Sequence, residues 1–387
     1  MIHFNSIDKT TFLTEYWQKK PLVLRQAIPG FINPISADEL AGLALEEGVE
    51  SRIVSETPAL APFWHLKTGP FNETDFSTLP KTHWTLLVQG VDRWVPEVMY
   101  LLNHFDFIPQ WRVDDVMISY AVKQGSVGPH YDNYDVFLYQ AEGRRKWSLT
   151  TRHCNTKNYL NDVDLRIMKQ FDVEEEYILE PGDMLYLPPH VGHHGVSLSD
   201  DCMTYSFGYR SYPGQELWDS LGEYLSEHEV ETGLYRDPNW STLSATSELT
   251  AQALLNAKDC MQQMLNDEQY MKRWFGCFAT RLDQHAEQDM PEPLTDEEAG
   301  DCFEFIEELK NTEGLERDPT CRMAYQLSEL QLFINGCEWC IEDVSPELVQ
   351  YVANHRVLGI NQLRPFLDED ANQQFLFGLW RLQWLNF

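Results

Sequence analysis

The sequence predicts a mainly β core of the jelly-roll type, followed by a helical region and a winged-helix-like segment. Between residues 111 and 210, short apolar segments alternate with turns, which is typical of a β-sandwich or barrel. After Pro213 and Gly214, apolar residues recur at helical spacing instead. From Thr295 onward, a helix, a hairpin and further helices follow one another in the order found in winged helices.

Turn residues separate the predicted strands of the β-rich region. The strands are short and apolar, and they read DVMISYAV, DVFLYQ, RKWSLT, EYILE, DMLYLPP and MTYSFGYR. Before DMLYLPP, Pro181 and Gly182 occupy the positions that a type II turn requires. Upstream, periodicity does not decide whether the apolar residues 84–91 form a strand or a helix.

The later segments predict helices and one hairpin. Asn335 and Gly336, between alternating apolar runs, indicate a type I′ turn. Thr295 and Glu298 predict a capping box, and the helix that follows should have one apolar face. That face comprises Ala299, Cys302, Phe303 and Ile306. The apolar stripes of the helices within 215–282 predict a homodimer, or alternatively packing against the chain's own jelly roll.

Composition and charge restrict the class of protein. The 387 residues are 43% hydrophobic and carry 61 acidic against 29 basic side chains, giving a net charge of −32. Such a surface disfavours direct nucleic-acid binding and attracts a basic protein partner, although acidity that serves only solubility is the alternative. Scattered cysteines, the absence of a long apolar run and a start without signal-peptide pattern predict a cytoplasmic protein that does not cross a membrane.

Two histidines and one aspartate are the candidate metal ligands. His130 and Asp132 are two residues apart, so an extended chain directs both side chains to one face. Together with a later histidine they form the set that suits Fe(II) in oxygenases. Spacing alone leaves the third ligand open among three histidines, which are His190, His193 and His194.

The basic strand at 144–146 is the candidate co-substrate site. Three protein ligands leave three positions on an octahedral ion, enough for a bidentate 2-oxo acid and dioxygen. A fixed guanidinium pairs best with the second carboxylate of such an acid. Arg145 shares its parity with Trp147, whereas Arg144 and Lys146 face the other way. Arg145 is therefore the predicted binder, with a plain basic surface cluster as the alternative.

Two other patterns are interpreted as structural. His104-Phe105-Asp106 repeats the HxD spacing, but it lies in a region without strand alternation. Cys337 and Cys340 follow the predicted hairpin turn and lack the second ligand pair that a structural zinc site needs.

Beyond these patterns, four segments of the sequence resemble a known family. They are HYDNYDVFLYQAEGRRKW, EPGDMLYLPPHVGHHG, WQKKPLVLR and DDVMISYAV. They resemble the cupin-like, JmjC-related ribosomal oxygenases, and above all the bacterial enzymes that hydroxylate an arginine of a large-subunit ribosomal protein. The resemblance covers essentially the whole chain and is looser in its C-terminal third.

The resemblance implies a domain organisation and a set of site residues. Residues 1–212 would form an oxygenase domain with a double-stranded β-helix, 213–290 a helical dimerisation region, and 291–387 a winged helix. By motif, His130, Asp132 and His193 match the metal ligands. Arg145 and Ser119 match residues at 2-oxoglutarate. His190 stands where the family usually has glycine.

The resulting hypothesis is a protein hydroxylase that uses Fe(II), 2-oxoglutarate and O2 on an arginine of a basic ribosomal protein. One alternative keeps the iron site but makes the chain a histidyl hydroxylase or an N-methyl-lysine demethylase. Another is a non-catalytic cupin whose winged helix regulates transcription. The last alternative requires a basic recognition helix, which PELVQYVANH does not provide.

Overall fold

The predicted β-rich region folds into two antiparallel sheets that form a jelly roll. In the computed structural model, which describes residues 1–57, 63–161, 163–228, 233–239 and 247–387, the chain divides into two units. The first is Met1–Ser211 and contains both sheets; the second is Tyr212–Phe387. Among the described residues, the longest and most apolar helices still fall short of what a bilayer crossing needs.

The larger sheet of the first unit has eight strands and the smaller has four. The larger follows the order β1-β10-β7-β12-β5-β4-β2-β3 and the smaller the order β6-β11-β8-β9. The strands are β1 Leu22–Leu24, β2 Ser51–Glu56, β3 Trp64–Thr68, β4 Trp84–Val88, β5 Val113–Ala121, β6 His130–Tyr131, β7 Asp135–Glu142, β8 Arg145–Thr150, β9 Glu175–Leu179, β10 Met184–Leu187, β11 Gly192–Ser197 and β12 Cys202–Tyr209. From β5 to β8 and again from β9 to β12, consecutive strands alternate between the two sheets, which confirms the predicted jelly roll.

The structure settles two local questions in this unit: the conformation of residues 84–91 and the turn before β10. β4 is a strand because it pairs with β2 on one side and β5 on the other, so it lies inside the larger sheet. The turn before β10 has Gly182 at φ +96°, and the Asp183 N–H donates to the Glu180 carbonyl at 2.9 Å. These values confirm the predicted type II turn.

Short helices connect the strands of this unit, and a buried carboxylate anchors its N-terminal segment. The α-helices are α1 Lys9–Thr11, α2 Ala37–Leu43, α3 Glu73–Ser77, α4 Val91–Trp94 and α5 Pro96–Leu101; one π-helical turn covers Phe12–Tyr16, and 3₁₀ turns cover Leu102–Phe105, Gln110–Arg112 and Thr156–Asn158. The fully buried carboxylate of Asp135 accepts hydrogen bonds from the Tyr186 hydroxyl at 2.6 Å and the Gln18 amide at 3.2 Å. This satisfied acid ties the N-terminal segment to the barrel.

The second unit is helical at first and then mixed. Its helices are α6 Gly214–Glu227, α7 Ala251–Leu265, α8 Glu268–Thr280, α9 Gln284–Gln288, α10 Asp296–Ala299, α11 Cys302–Leu309, α12 Pro346–Asn354, α13 Ile360–Leu363 and α14 Asp370–Arg381, with a 3₁₀ turn at Arg364–Phe366. Its strands are β13 Gly314–Arg317, β14 Met323–Gln326, β15 Gln331–Ile334, β16 Cys337–Trp339, β17 Val357–Gly359 and β18 Leu385–Asn386. Part of the predicted helical region, residues 229–232 and 240–246, lies outside the described residues.

The hairpin between β15 and β16 confirms one prediction in this unit. Asn335 and Gly336 have φ values of +47° and +85°, while Ile334 pairs with Cys337. Positive φ at both central residues defines the type I′ turn. Cys337 is a strand residue, as predicted, and every cysteine of the chain is a free thiol.

The helix predicted after Thr295 is only partly correct. The capping box between Thr295 and Glu298 is present. However, Gly300 at φ +59° ends α10, and α11 begins at Cys302. This break changes the helical phase: Ala299 and Ile306 are buried, whereas Phe303 is 72% exposed. The assignment of Phe303 to the buried face was therefore wrong.

Candidate metal centre

A glycine turn places His130 on the smaller sheet. Gly128 has φ +81°, and a side chain there would meet Ile167 at 3.0 Å, so both the conformation and the space favour glycine. The chain then enters β6, where His130 pairs directly with His193 of β11. Residues far apart in the sequence thereby become cross-strand neighbours.

His130, Asp132 and His193 converge on one point. One ligand atom from each residue lies within 4.8 Å of the others. The imidazole centroids are 4.2 Å apart, and His193 Nε2 lies 3.5 Å from Asp132 Oδ2. Two imidazole nitrogens and a carboxylate oxygen at this separation fit one divalent transition-metal ion.

Backbone carbonyls orient both imidazoles. His130 Nδ1 donates to the Gly128 carbonyl at 3.0 Å, and His193 Nδ1 donates to the Val191 carbonyl at 3.1 Å. With Nδ1 protonated in each ring, the lone pair of Nε2 is left for a metal. Burial lowers the pKa of His193 to about 4, assisted by His130, which keeps this ring neutral.

The competing histidines lie in different surroundings. His190 adopts φ +63°, and its backbone N–H donates to the Asp132 carbonyl at 2.8 Å, so it shapes the turn before β11. His194 follows His193 along the strand, and its ring packs against Phe171. In the part of the chain that the structure describes, neither joins the cluster, and neither does His104.

Arg145 is buried beside the cluster, and one of its guanidinium nitrogens has no hydrogen-bond acceptor among the described residues. Only 4% of the residue is exposed, and its guanidinium carbon lies 5.7 Å from the Trp147 ring, whose centroid is 5.8 Å from that of His193. Arg145 Nη2 and Trp147 Nε1 are buried donors with no acceptor among the described residues. Buried unpaired donors cost about 1–3 kcal/mol each, so both favour an anionic or acceptor-rich ligand here.

A polar network that sequence reasoning missed links Arg145 to Ser119. Arg145 Nε donates to Cys202 Sγ at 3.5 Å, and Gln140 Nε2 donates to the same sulfur at 3.3 Å. Thr204 Oγ1 donates to Gln140 Oε1, and Ser119 Oγ donates to the Thr204 carbonyl at 3.4 Å. The sequence shows these residues only as polar positions inside apolar strands, which does not distinguish a pocket from a satisfied core.

The charge of Arg145 lowers the pKa of the Cys202 thiol. Burial alone raises the pKa of this thiol, but the neighbouring guanidinium and its hydrogen bond lower it, and the pKa lies below its ordinary value. The positive charge therefore acts inside the barrel and not at its surface.

Sequence reasoning also missed the acidic residues whose charge acts on Tyr134, two residues after Asp132. Burial, followed by the charges of Asp114 and Asp92, raises the pKa of Asp115 to about 7. Tyr134 is 40% exposed, and its pKa is raised well above the ordinary value, first by Asp132 and further by Asp115 and Asp114. The negative charge of these acids therefore acts on the exposed ring of Tyr134.

The fold and the cluster together define a class of protein. A jelly roll in which two histidines and a carboxylate converge between β6 and β11 is a domain of the JmjC and cupin class. Residues 100–217 match the family model described as a JmjC domain, and residues 263–386 match the model described as a ROXA-like winged helix.

Similar proteins identify the family. The chain is 37% identical over 282 residues to the ribosomal protein uL16 3-hydroxylase of Escherichia coli, covering 73% of this chain and 74% of that one. It is 34% identical over 343 residues to a probable ribosomal oxygenase of Haemophilus influenzae, covering 87% and 83%. The structure matches the Escherichia coli ribosomal oxygenase YcfD in complex with cobalt and 2-oxoglutarate with a TM-score of 0.81, at 32% identity and 98% coverage of each chain. The chain belongs to the ribosomal oxygenase family.

Proposed function

We propose that this chain hydroxylates an arginine side chain of a large-subunit ribosomal protein, using Fe(II), 2-oxoglutarate and O2. The observation that carries the proposal is the convergence of His130, Asp132 and His193 within 4.8 Å. The names of the relatives support it, since one is a hydroxylase of ribosomal protein uL16 and YcfD has been crystallised with 2-oxoglutarate.

The side chains have separate roles in this reaction. His130, Asp132 and His193 would hold the metal, with both imidazoles oriented by their Nδ1 hydrogen bonds to backbone carbonyls. Arg145 would pair with the distal carboxylate of 2-oxoglutarate through its unsatisfied Nη2, and Ser119 would line the same pocket. When bound, Fe(II) would supply the redox chemistry that couples decarboxylation of 2-oxoglutarate to hydroxylation of a C–H bond.

Negative charge around the exposed ring of Tyr134 supports a cationic substrate side chain. Tyr134, two residues after Asp132, is exposed and would offer its aromatic ring to a guanidinium, in the field of the negative charges of Asp132, Asp115 and Asp114.

The test is anaerobic binding of Fe(II) and 2-oxoglutarate, followed by succinate release with peptides of basic ribosomal proteins. Mass spectrometry of the product peptides then separates the candidate reactions. We expect the mass of one oxygen atom to be added at an arginine. Addition at a histidine, or loss of a methylene from a methylated lysine, would instead support one of the alternative enzymes.

Electrostatic steering gives a prediction about salt. With a net charge of −32, the protein should capture a basic substrate more slowly as ionic strength rises. Uncoupled turnover of 2-oxoglutarate, which needs no protein partner, should change less. Initial rates at increasing potassium chloride would check this expectation, and equal salt sensitivity of both reactions would contradict steering.

We also propose the three-part organisation of 1–212, 213–290 and 291–387, with the helical part forming a homodimer. None of the described residues of α7 is buried, and several of its large apolar side chains are exposed. They are Leu254, Leu255, Met261 and Leu265. An exposed stripe of this kind favours packing against a second copy.

Light scattering after size exclusion tests the dimer. Leu254→Glu combined with Met261→Glu changes two residues one heptad apart on one face, and we expect this variant to elute as a monomer. Gln252→Glu with Gln262→Glu adds the same charge at exposed polar positions of α7 and should remain dimeric. A wild-type chain that is monomeric at micromolar concentration would contradict the proposal.

A further inference from the structure

The winged-helix part of the second unit contains a groove of about 810 Å³ with an acidic rim. We call it the acidic groove; it lies between α8, β15, β16 and the segment that leads into α12. The charged side chains that line it are Arg273, Glu329, Glu338, Glu342 and Asp343. Four carboxylates against one guanidinium make it a site of negative potential.

Two of these carboxylates have no internal counter-ion. Glu338 pairs with Arg273 at 3.3 Å, and Glu329 pairs with Lys272. Glu342 and Asp343 are exposed, and the described part of the chain offers them no ion pair. They are therefore available to a cation from outside the chain.

A buried acceptor points to a hydrogen-bond donor in the groove. Gln331 is 8% exposed, and its Nε2 donates to Glu338 Oε1 at 3.0 Å. Its Oε1 is buried and has no donor among the described residues. An unpaired buried carbonyl costs free energy that a ligand N–H would recover, and this observation is independent of the acidic rim.

An aromatic ring completes the set of recognition groups. Trp339 is half-buried in the groove wall, where it packs on Trp384 with ring centroids 5.4 Å apart. A guanidinium can stack on an indole, pair with carboxylates and donate to a carbonyl at the same time. An ammonium offers no planar face, so arginine fits these groups better than lysine.

We propose that the acidic groove binds an arginine-bearing segment of a basic polypeptide, as a docking site separate from the metal centre. Identification of that polypeptide as the protein substrate rests on the proposed function, whereas binding itself does not. The groove would then raise the local concentration of a basic chain at the enzyme.

Fluorescence anisotropy with the full chain tests this proposal. The probe is a short fluorescein-labelled peptide of alternating arginine and glycine, used without metal or 2-oxoglutarate. We expect Glu342→Gln with Asp343→Asn to weaken binding about tenfold, since these two exposed carboxylates are the ones without an internal counter-ion. Gln331→Leu should weaken it about fivefold through loss of the buried acceptor. A lysine–glycine peptide should bind less tightly than the arginine peptide.

The matched control is Glu297→Gln with Asp368→Asn, which removes the same charge from exposed positions of the same unit. It should bind the peptide as the wild type does. Equal weakening by the control and groove variants would overturn the proposal, because general charge attraction would then suffice. A groove variant that binds the peptide normally but changes the oligomeric state would also overturn it, since a second copy would be the occupant.

The two proposals fail separately. His130→Ala should bind the arginine peptide unchanged while releasing no succinate. If the groove variants bind like the wild type and the wild type hydroxylates arginine, docking at the groove is wrong and the proposed function stands. If the groove variants bind the peptide less tightly than the wild type and no peptide is hydroxylated, the proposed function is wrong and the proposal of a docking site in the groove is supported.

Discussion

Replacing Asp132 by alanine should lower succinate release more than about a hundredfold, because losses of that size follow even from disturbing groups that only orient metal ligands. The substitution removes the single carboxylate of the cluster, whose Oδ2 lies 3.5 Å from His193 Nε2. Two imidazoles would remain, and neither supplies a negative charge to offset that of a divalent ion. Metal content by atomic absorption and succinate release by mass spectrometry measure the two effects.

The second HxD triplet supplies a matched control for this variant. Asp106→Ala removes an aspartate from the same sequence pattern, but this residue lies outside the cluster. We expect wild-type metal content and turnover. Compared without metal, Asp132→Ala and the wild type should have nearly the same circular dichroism spectrum and thermal midpoint, because Asp132 is partly exposed. Full activity in Asp132→Ala would remove the basis for the metal assignment.

Replacing Arg145 by alanine should weaken 2-oxoglutarate binding by roughly a hundredfold, equivalent to about 3 kcal/mol for one partner of a buried charge pair. Arg145 is 4% exposed, and its Nη2 has no hydrogen-bond acceptor within the described chain. Arg145→Lys should recover only part of the loss, because an ammonium keeps the charge but not the two-pronged geometry. Calorimetric titration under anaerobic conditions measures the affinity directly.

The adjacent arginine is the control for this second prediction. Arg144 is exposed, and its side chain has the opposite parity along the chain. Arg144→Ala should bind 2-oxoglutarate as the wild type does. If Arg144→Ala and Arg145→Ala reduced affinity equally, the basic strand would be acting as a surface cluster, which is the alternative that spacing alone leaves open.

Local chemistry made much of the fold predictable. Gly182 and the Asn335-Gly336 pair specify turns through positive φ, so both turns could be predicted without knowledge of the sheet pairing. The parity of Arg145 and Trp147 likewise predicted one buried face, and both side chains are buried. Each of these features depends on only a few consecutive residues, so it can be predicted from the sequence alone.

Features that depend on tertiary contacts could not be predicted in this way. Spacing left His190, His193 and His194 open because only the register of β11 against β6 brings His193 opposite His130. The positive φ of Gly300 interrupts a stripe that periodicity alone would continue. The contact between Arg145 and Cys202 joins residues distant in the sequence, and no local pattern indicates it.

The pairing of β6 with β11 links metal uptake to folding. His130 and His193 are neighbours only when β6 is paired with β11, so the unfolded chain offers no comparable chelate. Thermodynamic linkage then adds about 2.7 kcal/mol to the native state when free metal exceeds its dissociation constant a hundredfold. A shortage of the metal would therefore lower the stability of the jelly roll as well as abolish its activity.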